Sequence, residues 1–270
     1  MKIAIVAPSC TLKPEAAERV QALVARRGDC ELLIHPQCFL THGHFAGTDE
    51  ARLSALRDVM ADPTVDAVWF ARGGYGSNRI AGDALAGLPD AARSKTYVGY
   101  SDAGFLLAGF HKAGLQCAWG PMPQDIVRTG GEGTVGRALD WLVRRDPASV
   151  EGALGKPAMA FNLTVLSSLL GTPLEPDFSG VELLLEDVSE PHYSIDRTFF
   201  HVTSSANVRK VARIRLGRFS DIPANDPEFG EDEAAIAAHW CGRAGIALGR
   251  PADIGHDAEN TVVPFGHFEG

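Results

Sequence analysis

The sequence predicts an α/β fold with an N-terminal doubly wound, mostly parallel sheet and a second, smaller C-terminal α/β (mixed-β) domain. Short apolar runs alternate with amphipathic segments in the first part of the chain, a rhythm typical of β-α-β units with right-handed crossovers. The length of 270 residues fits one large domain or two modest ones. Between Pro123 and Pro157 the composition changes and glycines cluster, which indicates a junction. We therefore expect an N-terminal domain over residues 1–125, a linker region over 126–157 and a C-terminal domain over 158–270.

Four strands and three helices are expected in the N-terminal domain. Thr48 followed by Asp49 and Glu50 is typical of a capped helix start, and the apolar run over 65–71 is typical of a central parallel strand. Ligands bind beyond the carboxyl ends of the strands in such a sheet, so the segments after the third and fourth strands should line a site. The expected strands cover residues 2–7, 30–34, 65–71 and 96–98, and the expected helices cover 14–26, 48–60 and a run that begins at Phe105.

The C-terminal domain is expected to mix helices and strands. Residues 155–160 read as a loop, and the next apolar run stops at Gly171-Thr172-Pro173, which is typical of a helix end. The expected helices cover 162–170, 195–202 and 231–241, and the expected strands cover 181–185, 211–216 and 261–263. A further helix is expected over 138–145, in the linker region.

The composition argues against several classes of partner. With 25 basic and 34 acidic residues the formal net charge is −9, whereas nucleic acids and anionic membranes need a cationic face. No apolar stretch approaches the length of a membrane span, and the first residues read as a strand and not as a signal peptide. The five cysteines are odd in number and show no CxxC spacing, which fits reduced thiols and gives no zinc signal. We therefore expect a cytoplasmic protein.

Gly99-Tyr100-Ser101-Asp102 is the most informative motif. A short strand ends at Gly99 and a helix follows, so Ser101 lies at a sharp strand-to-helix turn, where an acyl-transfer nucleophile is typically presented. The backbone N–H of Asp102 points into the same space, beside the positive end of a helix. The alternative is that Ser101 only caps the helix.

Arg72-Gly73-Gly74-Tyr75-Gly76 also follows a buried strand. Its glycines allow the backbone to approach a ligand closely, and their N–H groups can bind an anion. The Walker spacing is absent, so a phosphate loop is not expected. We expect one half of an oxyanion hole here, with the N–H of Asp102 as the other half. The alternative is a tight turn between a strand and a helix.

A serine nucleophile needs a base, usually histidine, and the base needs a carboxylate that orients it. Of the nine histidines, His192 follows Glu190-Pro191, and His256 lies in a glycine-containing turn before the last strand. Glu186 ends an apolar run, where a partly buried carboxylate could orient an imidazole. The alternative for Glu186 is a solvated strand end.

Taken together, these motifs resemble the LD-carboxypeptidases (muramoyltetrapeptide carboxypeptidases), a serine peptidase family that also contains the microcin C immunity proteins. The resemblance implies a Ser–His–Glu triad of Ser101, His256 and Glu186, with Gly74 and Asp102 holding the oxyanion. Nine short motifs occur in the family's order: Ile5-Val6-Ala7-Pro8-Ser9, Phe45-Ala46-Gly47-Thr48-Asp49, Arg72-Gly73-Gly74-Tyr75-Gly76, Gly99-Tyr100-Ser101-Asp102, Gly120-Pro121-Met122, Asn162-Leu163, Leu170-Gly171-Thr172-Pro173, Leu185-Glu186-Asp187 and Gly255-His256.

The resemblance implies hydrolysis of the L,D-peptide bond to the terminal D-alanine of a murein tetrapeptide, without a metal or cofactor. The substrate partner is thus a small peptide, and a homodimer is expected. A carboxypeptidase must bind a free carboxylate, which suits a guanidinium. We expect Arg72 to bind it, beside Gly73 and Tyr75. The alternative for Arg72 is a structural salt bridge.

Two other functions stay open. One is a microcin-immunity-like amidase that cleaves an aminoacyl-nucleotide conjugate, which aromatic residues in a cleft loop would favour. The other is a ligand-binding protein with a dead triad on the same scaffold. The chain also departs from the family at Phe161, where glycine usually precedes Asn162-Leu163. A bulky ring there is expected to narrow or reshape the cleft.

Overall fold

A computed structural model describes residues 1–152 and 154–266 and confirms the α/β fold class. The larger sheet has six strands in the order β2-β1-β3-β4-β5-β9. Its first five strands are parallel to one another, and the last pair, β5 with β9, is antiparallel. The strands are β1 Lys2–Val6, β2 Glu31–Ile34, β3 Ala67–Phe70, β4 Thr96–Gly99, β5 Gln116–Trp119 and β9 Val263–Pro264.

The strand order reverses at β1, which lies between β2 and β3. In an open parallel sheet the crevice at such a switch point, beyond the carboxyl ends of the strands, is where ligands bind. The loops that follow β1, β3, β4 and β5 therefore meet at one edge of the sheet. Helices connect these strands: α1 Pro14–Arg27, α2 Asp49–Ala61, α3 Ser77–Leu85, α4 Gly104–Lys112 and α5 Gly131–Arg144.

The region predicted as a linker is largely helical. Helix α5 is longer than the sequence predicted and begins at Gly131. Its apolar face, which includes Val135, Leu139 and Leu142, belongs to the same hydrophobic cluster as Ile3 of β1. This part of the chain thus packs on the larger sheet. The predicted domain boundaries themselves stay a prediction.

The smaller sheet has three parallel strands in the order β6-β7-β8. Its strands are β6 Ala158–Asn162, β7 Glu182–Val188 and β8 Arg213–Ser220, and its helices are α6 Leu163–Leu169, α7 His192–Ser204 and α8 Glu233–Ala244. The loop predicted over 155–160 is wrong in its second half, because β6 begins at Ala158. All five residues of β6 are buried, so the polar–apolar alternation that would mark a half-buried strand is missing.

Phe161 lies in β6 and is fully buried. Its ring packs against those of Phe178 and Phe265, at centroid distances of 6.2 and 5.4 Å. The expectation that this ring would narrow the cleft is therefore wrong, since it fills the hydrophobic core between the two sheets.

Strand β9 returns to the larger sheet after the whole of the smaller one. It pairs with β5 through Val263 and Pro264, so the predicted late strand exists but closes the first sheet. Among the described residues, no helix is long and apolar enough to cross a membrane.

Candidate active site

Ser101 lies directly beyond β4, in the turn between that strand and α4. Its backbone has φ of 58°, a left-handed conformation that costs a non-glycine residue about 1–3 kcal/mol and is typical of functional turns. Gly73 packs against it. A Cβ atom at residue 73 would lie 2.9 Å from Ser101 Oγ, so any larger residue would push the hydroxyl away.

The Asp102 carboxylate is buried and ties the serine turn to two neighbouring loops. It accepts hydrogen bonds from the backbone N–H groups of Ser77 (2.8 Å) and Gly76 (3.3 Å) and from the hydroxyl of Ser9. Burial raises the pKa of this carboxyl, and these hydrogen bonds oppose the rise. Asp102 thus fixes the glycine-rich loop relative to Ser101.

Glu186 lies on β7 and its side chain is fully buried. Opposite it, the pairing with β8 is irregular, because Gly217 and Arg218 occupy the place of one residue. Such bulges are frequent beside active sites, where they redirect side chains. Position 217 requires glycine, since a Cβ there would lie 2.5 Å from the Ile254 side chain and 3.0 Å from Glu186 Cβ.

His256 forms a close hydrogen bond with Glu186, with 2.6 Å between Nδ1 and Oε2. Because a carboxylate accepts, Nδ1 carries the proton and Nε2 is left as the basic nitrogen. Burial lowers the pKa of the imidazole, but the charge and the hydrogen bond of Glu186 outweigh it, so the pKa is raised above its ordinary value. The Tyr100 ring packs against the imidazole at 4.9 Å.

The loop that carries His256 is anchored to the smaller sheet by Arg218. The Arg218 backbone N–H donates to the Ile254 carbonyl at 2.9 Å. Its guanidinium donates to both carboxylate oxygens of Asp257, with Nη2 2.8 Å from Oδ1. These bonds fix the chain on both sides of the imidazole.

The same loop is also anchored to the larger sheet. Arg128 donates to the backbone carbonyl of His256. The side-chain oxygen of Asn260 accepts from Trp119 Nε1 at 3.0 Å and from the backbone N–H of Gly255 at 3.2 Å. His256 is therefore positioned by both parts of the molecule.

A cavity of about 410 Å³ is lined by both Ser101 and His256. Within residues 1–152 and 154–266, Ser101 Oγ makes no hydrogen bond with His256, so one of the two expected links of the triad is formed. Such contacts often tighten only when substrate binds. Further lining residues are Lys13, Arg72, Gly73, Gly74, Gln124, Asp125 and Arg128.

Three cations line this first cavity: Lys13, Arg72 and Arg128. Arg72 donates to the carbonyl of Thr11 at 3.3 Å, and in the described part of the chain it forms no ion pair with a carboxylate. The structural salt bridge considered for Arg72 is therefore not found. Asp125 is buried beneath the cavity and accepts from the Tyr100 hydroxyl at 2.8 Å; burial raises the pKa of its carboxyl.

A second cavity, of about 380 Å³, adjoins the first. Ser101, Gly74 and Val188 line both. The other lining residues of the second cavity are Tyr75, Asn78, Asp102, Phe105, Asn162, Thr164, Val165, Ser168, Asp187 and Glu190. Its charged side chains are all carboxylates, so Ser101 lies between a cavity with three cations and one with acids.

The structure brings most of the sequence-predicted site residues to these two cavities. Their lining includes Ser101, His256, Arg72 and Tyr75, with Gly73, Gly74 and Asp102 beside the serine. Glu186 lies behind the imidazole. His192 does not join them: it lines a different cavity, with Phe229 and Asn225.

Sequence reasoning missed Lys13, Gln124, Asp125 and Arg128 of the first cavity. Three of these, Gln124, Asp125 and Arg128, lie in the segment between β5 and α5. The rule that loops after parallel strands line the site would have found them, had the strand at Gln116–Trp119 been recognised. No feature of the sequence pattern marks Glu190 as a site residue except its position before Pro191.

Two family models and a curated relative match this chain over most of its length. The LD-carboxypeptidase N-terminal domain model matches residues 3–120, and the LD-carboxypeptidase C-terminal domain model matches residues 158–268. The murein tetrapeptide carboxypeptidase of Pseudomonas aeruginosa is 29% identical, over 98% of this chain and 91% of that protein.

Solved structures share the fold. The muramoyltetrapeptide carboxypeptidase from Oxalobacter formigenes superposes with a TM-score of 0.82 at 27% identity, over 98% of this chain and 93% of the other. The structure of the microcin C7 self-immunity protein MccF with glutamyl sulfamoyl guanosine superposes with a TM-score of 0.79, over 98% and 91%. At 20% identity, the second similarity shows the fold alone.

Proposed function

The chain belongs to the LD-carboxypeptidase family and is a serine-type carboxypeptidase, and we propose that it hydrolyses the L,D-peptide bond to the terminal D-alanine of murein tetrapeptides. In this proposal Ser101 is the nucleophile, His256 the general base and Glu186 the residue that orients it. One observation carries the proposal: His256, which is joined to the buried Glu186 at 2.6 Å, lines the cavity that the strained Ser101 also lines.

The proton path follows from the tautomer. Glu186 accepts the Nδ1 proton, so Nε2 of His256 takes the hydroxyl proton as Ser101 attacks the peptide carbonyl. The tetrahedral intermediate then collapses. His256 gives its proton to the leaving amine of D-alanine, and the acyl group stays on Ser101. Water, activated by the same imidazole, attacks the ester and frees the shortened peptide.

The negative oxygen of the intermediate needs donors that are already in place. We assign this role to the backbone N–H groups of Asp102 and Gly74. Asp102 follows the nucleophile directly, and Gly74 lies in the loop that packs against Ser101 through Gly73. The hydrogen bonds from Gly76 and Ser77 to the Asp102 carboxylate hold that loop in place.

The cations indicate which part of the peptide lies in the first cavity. The leaving amine must lie near His256, because that residue protonates it. His256 shares the first cavity with Lys13, Arg72 and Arg128, and a leaving D-alanine carries a free carboxylate. Arg72 is our candidate for binding it.

The test is D-alanine release from the tetrapeptide L-Ala-γ-D-Glu-meso-diaminopimelate-D-Ala, measured by chromatography. Ser101→Ala and His256→Ala should each lower kcat by about 10⁴- to 10⁶-fold, as the loss of a nucleophile or base does in serine proteases. Ser179→Ala, on an exposed turn, is the matched control and should keep full activity. Full activity in Ser101→Ala would refute the proposal.

A second candidate function is cleavage of an aminoacyl-nucleotide conjugate, because an aromatic side chain is free to stack on a base. Tyr75 is 48% exposed and lines the second cavity, near the rings of Phe45 and His44. Assaying glutamyl sulfamoyl guanosine beside the tetrapeptide separates the two functions. The homodimer stays a prediction, which sedimentation velocity would test.

A further inference from the structure

The two cavities that meet at Ser101 differ in charge: three cations line the first, and the charged side chains of the second are all carboxylates. This difference indicates what the second cavity can bind in the acyl part of the substrate, which stays on the enzyme when D-alanine leaves. Resting on the proposed function, we propose that the second cavity binds the residue whose carbonyl Ser101 attacks. We further propose that Glu190 selects a residue with an ammonium group on its side chain. Glu190 is then a specificity-determining residue.

The direction of the peptide follows from the position of the base. The leaving amine lies with His256 in the first cavity, so the acyl part must extend from Ser101 the other way. The second cavity adjoins the first at Ser101, Gly74 and Val188. It is the described cavity that continues from the nucleophile on that side, and its volume of about 380 Å³ accommodates a long side chain.

Two of the three carboxylates in this cavity each accept hydrogen bonds from several protein donors. Asp102 is held by Ser9, Gly76 and Ser77. Asp187 accepts from Asn162 Nδ2 at 2.6 Å. Both carboxylates therefore serve the structure of the walls.

Asp187 has further donors on both of its oxygens. It accepts from Thr164 through the backbone N–H at 3.1 Å and the hydroxyl at 2.9 Å, and from the Val188 N–H at 2.9 Å. Burial, followed by the charge of Glu186, raises the pKa of the Asp187 carboxyl to about 6. Because both of its oxygens already accept from protein donors, Asp187 is a poor partner for a substrate cation.

Glu190 differs from these two carboxylates, because among the described residues it accepts one hydrogen bond and it lines the cavity. Its Oε2 accepts from the Ser194 hydroxyl at 2.6 Å, and Ser194 in turn accepts from Arg197 Nη2 at 3.3 Å. These contacts orient the carboxylate from behind. The side chain is half-buried, so an incoming ammonium would meet a carboxylate that is partly removed from water, where charge-assisted hydrogen bonds are strongest.

The backbone also holds Glu190 in place. Ser189, just before it, has φ of 61° and donates its N–H to the Ser220 carbonyl at 2.9 Å. Pro191, just after it, fixes the start of α7. A left-handed residue on one side and a proline on the other restrict where the carboxylate can lie.

The buried acceptor Asn78 Oδ1 supports the assignment. It lines the same cavity and has no hydrogen-bond partner among the described residues. A buried carbonyl oxygen without a donor costs free energy, which a substrate N–H group would recover.

The test uses three peptides, L-Ala-γ-D-Glu-L-Xaa-D-Ala, in which Xaa is lysine, norleucine or glutamate. Norleucine lacks the ammonium group of lysine but retains its length. The wild type should cleave the lysine peptide with a kcat/KM about 10- to 100-fold above that of the norleucine peptide, a factor typical of one charge-assisted hydrogen bond. Glu190→Gln should abolish this preference, so that the lysine and norleucine peptides are cleaved with the same kcat/KM, and Glu190→Lys should favour the glutamate peptide.

The outcomes separate this inference from the proposed function. If the wild type releases D-alanine from all three peptides equally, or if Glu190→Gln retains the preference for lysine, the role of Glu190 is refuted and the carboxypeptidase activity stands. If Ser101-dependent release is absent for all three peptides and for the diaminopimelate peptide, both are refuted. Thermal melting of each variant verifies that it is folded.

Discussion

Ser101 is positioned by its own neighbours in the chain, whereas His256 is positioned by residues far from it in sequence. The serine turn consists of Gly99 to Asp102, and the buried Asp102 carboxylate binds the adjoining loops. The imidazole depends on Glu186 of β7, Arg218 of β8 and Arg128 beyond β5. The serine turn is held mainly by uncharged donors to one buried carboxylate, and the loop of His256 mainly by charged side chains.

This difference indicates which of the two residues, Ser101 or His256, can move more readily when substrate binds. A left-handed serine backed by glycine has little room to move. The loop of His256 is held by long arginine side chains, and Arg218 is 33% exposed. Exposed ion pairs contribute little free energy. We therefore expect that closing the gap between Ser101 and His256 on substrate binding moves the imidazole and not the hydroxyl.

Among the variants that test how the two residues are positioned, Glu186→Gln should have the largest effect. A comparable change in a serine protease lowers kcat by about 10⁴-fold, because the imidazole takes the wrong tautomer. The pH profile distinguishes this from simple misfolding. In the proposed mechanism catalysis needs neutral His256, so kcat/KM should rise with pH through the pKa of His256, which Glu186 holds above its ordinary value. Without that charge, burial dominates and the rising limb should move to lower pH. If the rising limb of the pH profile stayed at the same pH, the proposed effect of Glu186 on His256 would be contradicted.

Asp102→Asn should have the next largest effect. The amide would place a donor where the carboxylate accepts from Ser77, Gly76 and Ser9, so the glycine-rich loop should shift away from Ser101. We expect kcat to fall by about 10²- to 10³-fold, the loss typical of one oxyanion donor, with KM nearly unchanged. Steady-state kinetics measure this split. A rise in KM at constant kcat would show that Asp102 serves substrate binding instead.

Arg218→Met should have the smallest effect. It removes the pairs with Asp257 and Asp253 on the base side, and we expect kcat to fall roughly 3- to 10-fold because exposed pairs are weak. Arg26→Met is the matched control, since it removes an exposed ion pair with Glu132 and neither residue lines either of the two cavities. If both variants had the same kcat, the anchoring role of Arg218 would be wrong.

The same contrast explains what could be predicted from the sequence. The serine turn is local, so Gly99 to Asp102 indicate it directly, and the alternation of strands and helices gives the larger sheet. The partnership of Glu186 and His256 joins residues 70 positions apart. No periodicity encodes that distance, and only the resemblance to a family paired them.

Three other features could not be predicted from the sequence, each for a physical reason. Strand β6 is buried on both faces and does not alternate, so its residues resemble the start of the next helix. Gly217 lies just beyond the predicted strand 211–216, and no local signal shows that Ile254 packs against it. Phe161 looked like an obstruction in the cleft because nothing local shows that β6 turns this ring into the core.

The late strand β9 has a consequence for how the molecule is made. It pairs with β5, although the entire smaller sheet is synthesised between the two. Domains usually fold as units while the ribosome is still at work. Here the first sheet gains its sixth strand, and His256 can join Ser101 at the first cavity, only after the smaller sheet has emerged. A nascent chain can therefore form the serine turn well before it can complete the proposed active site.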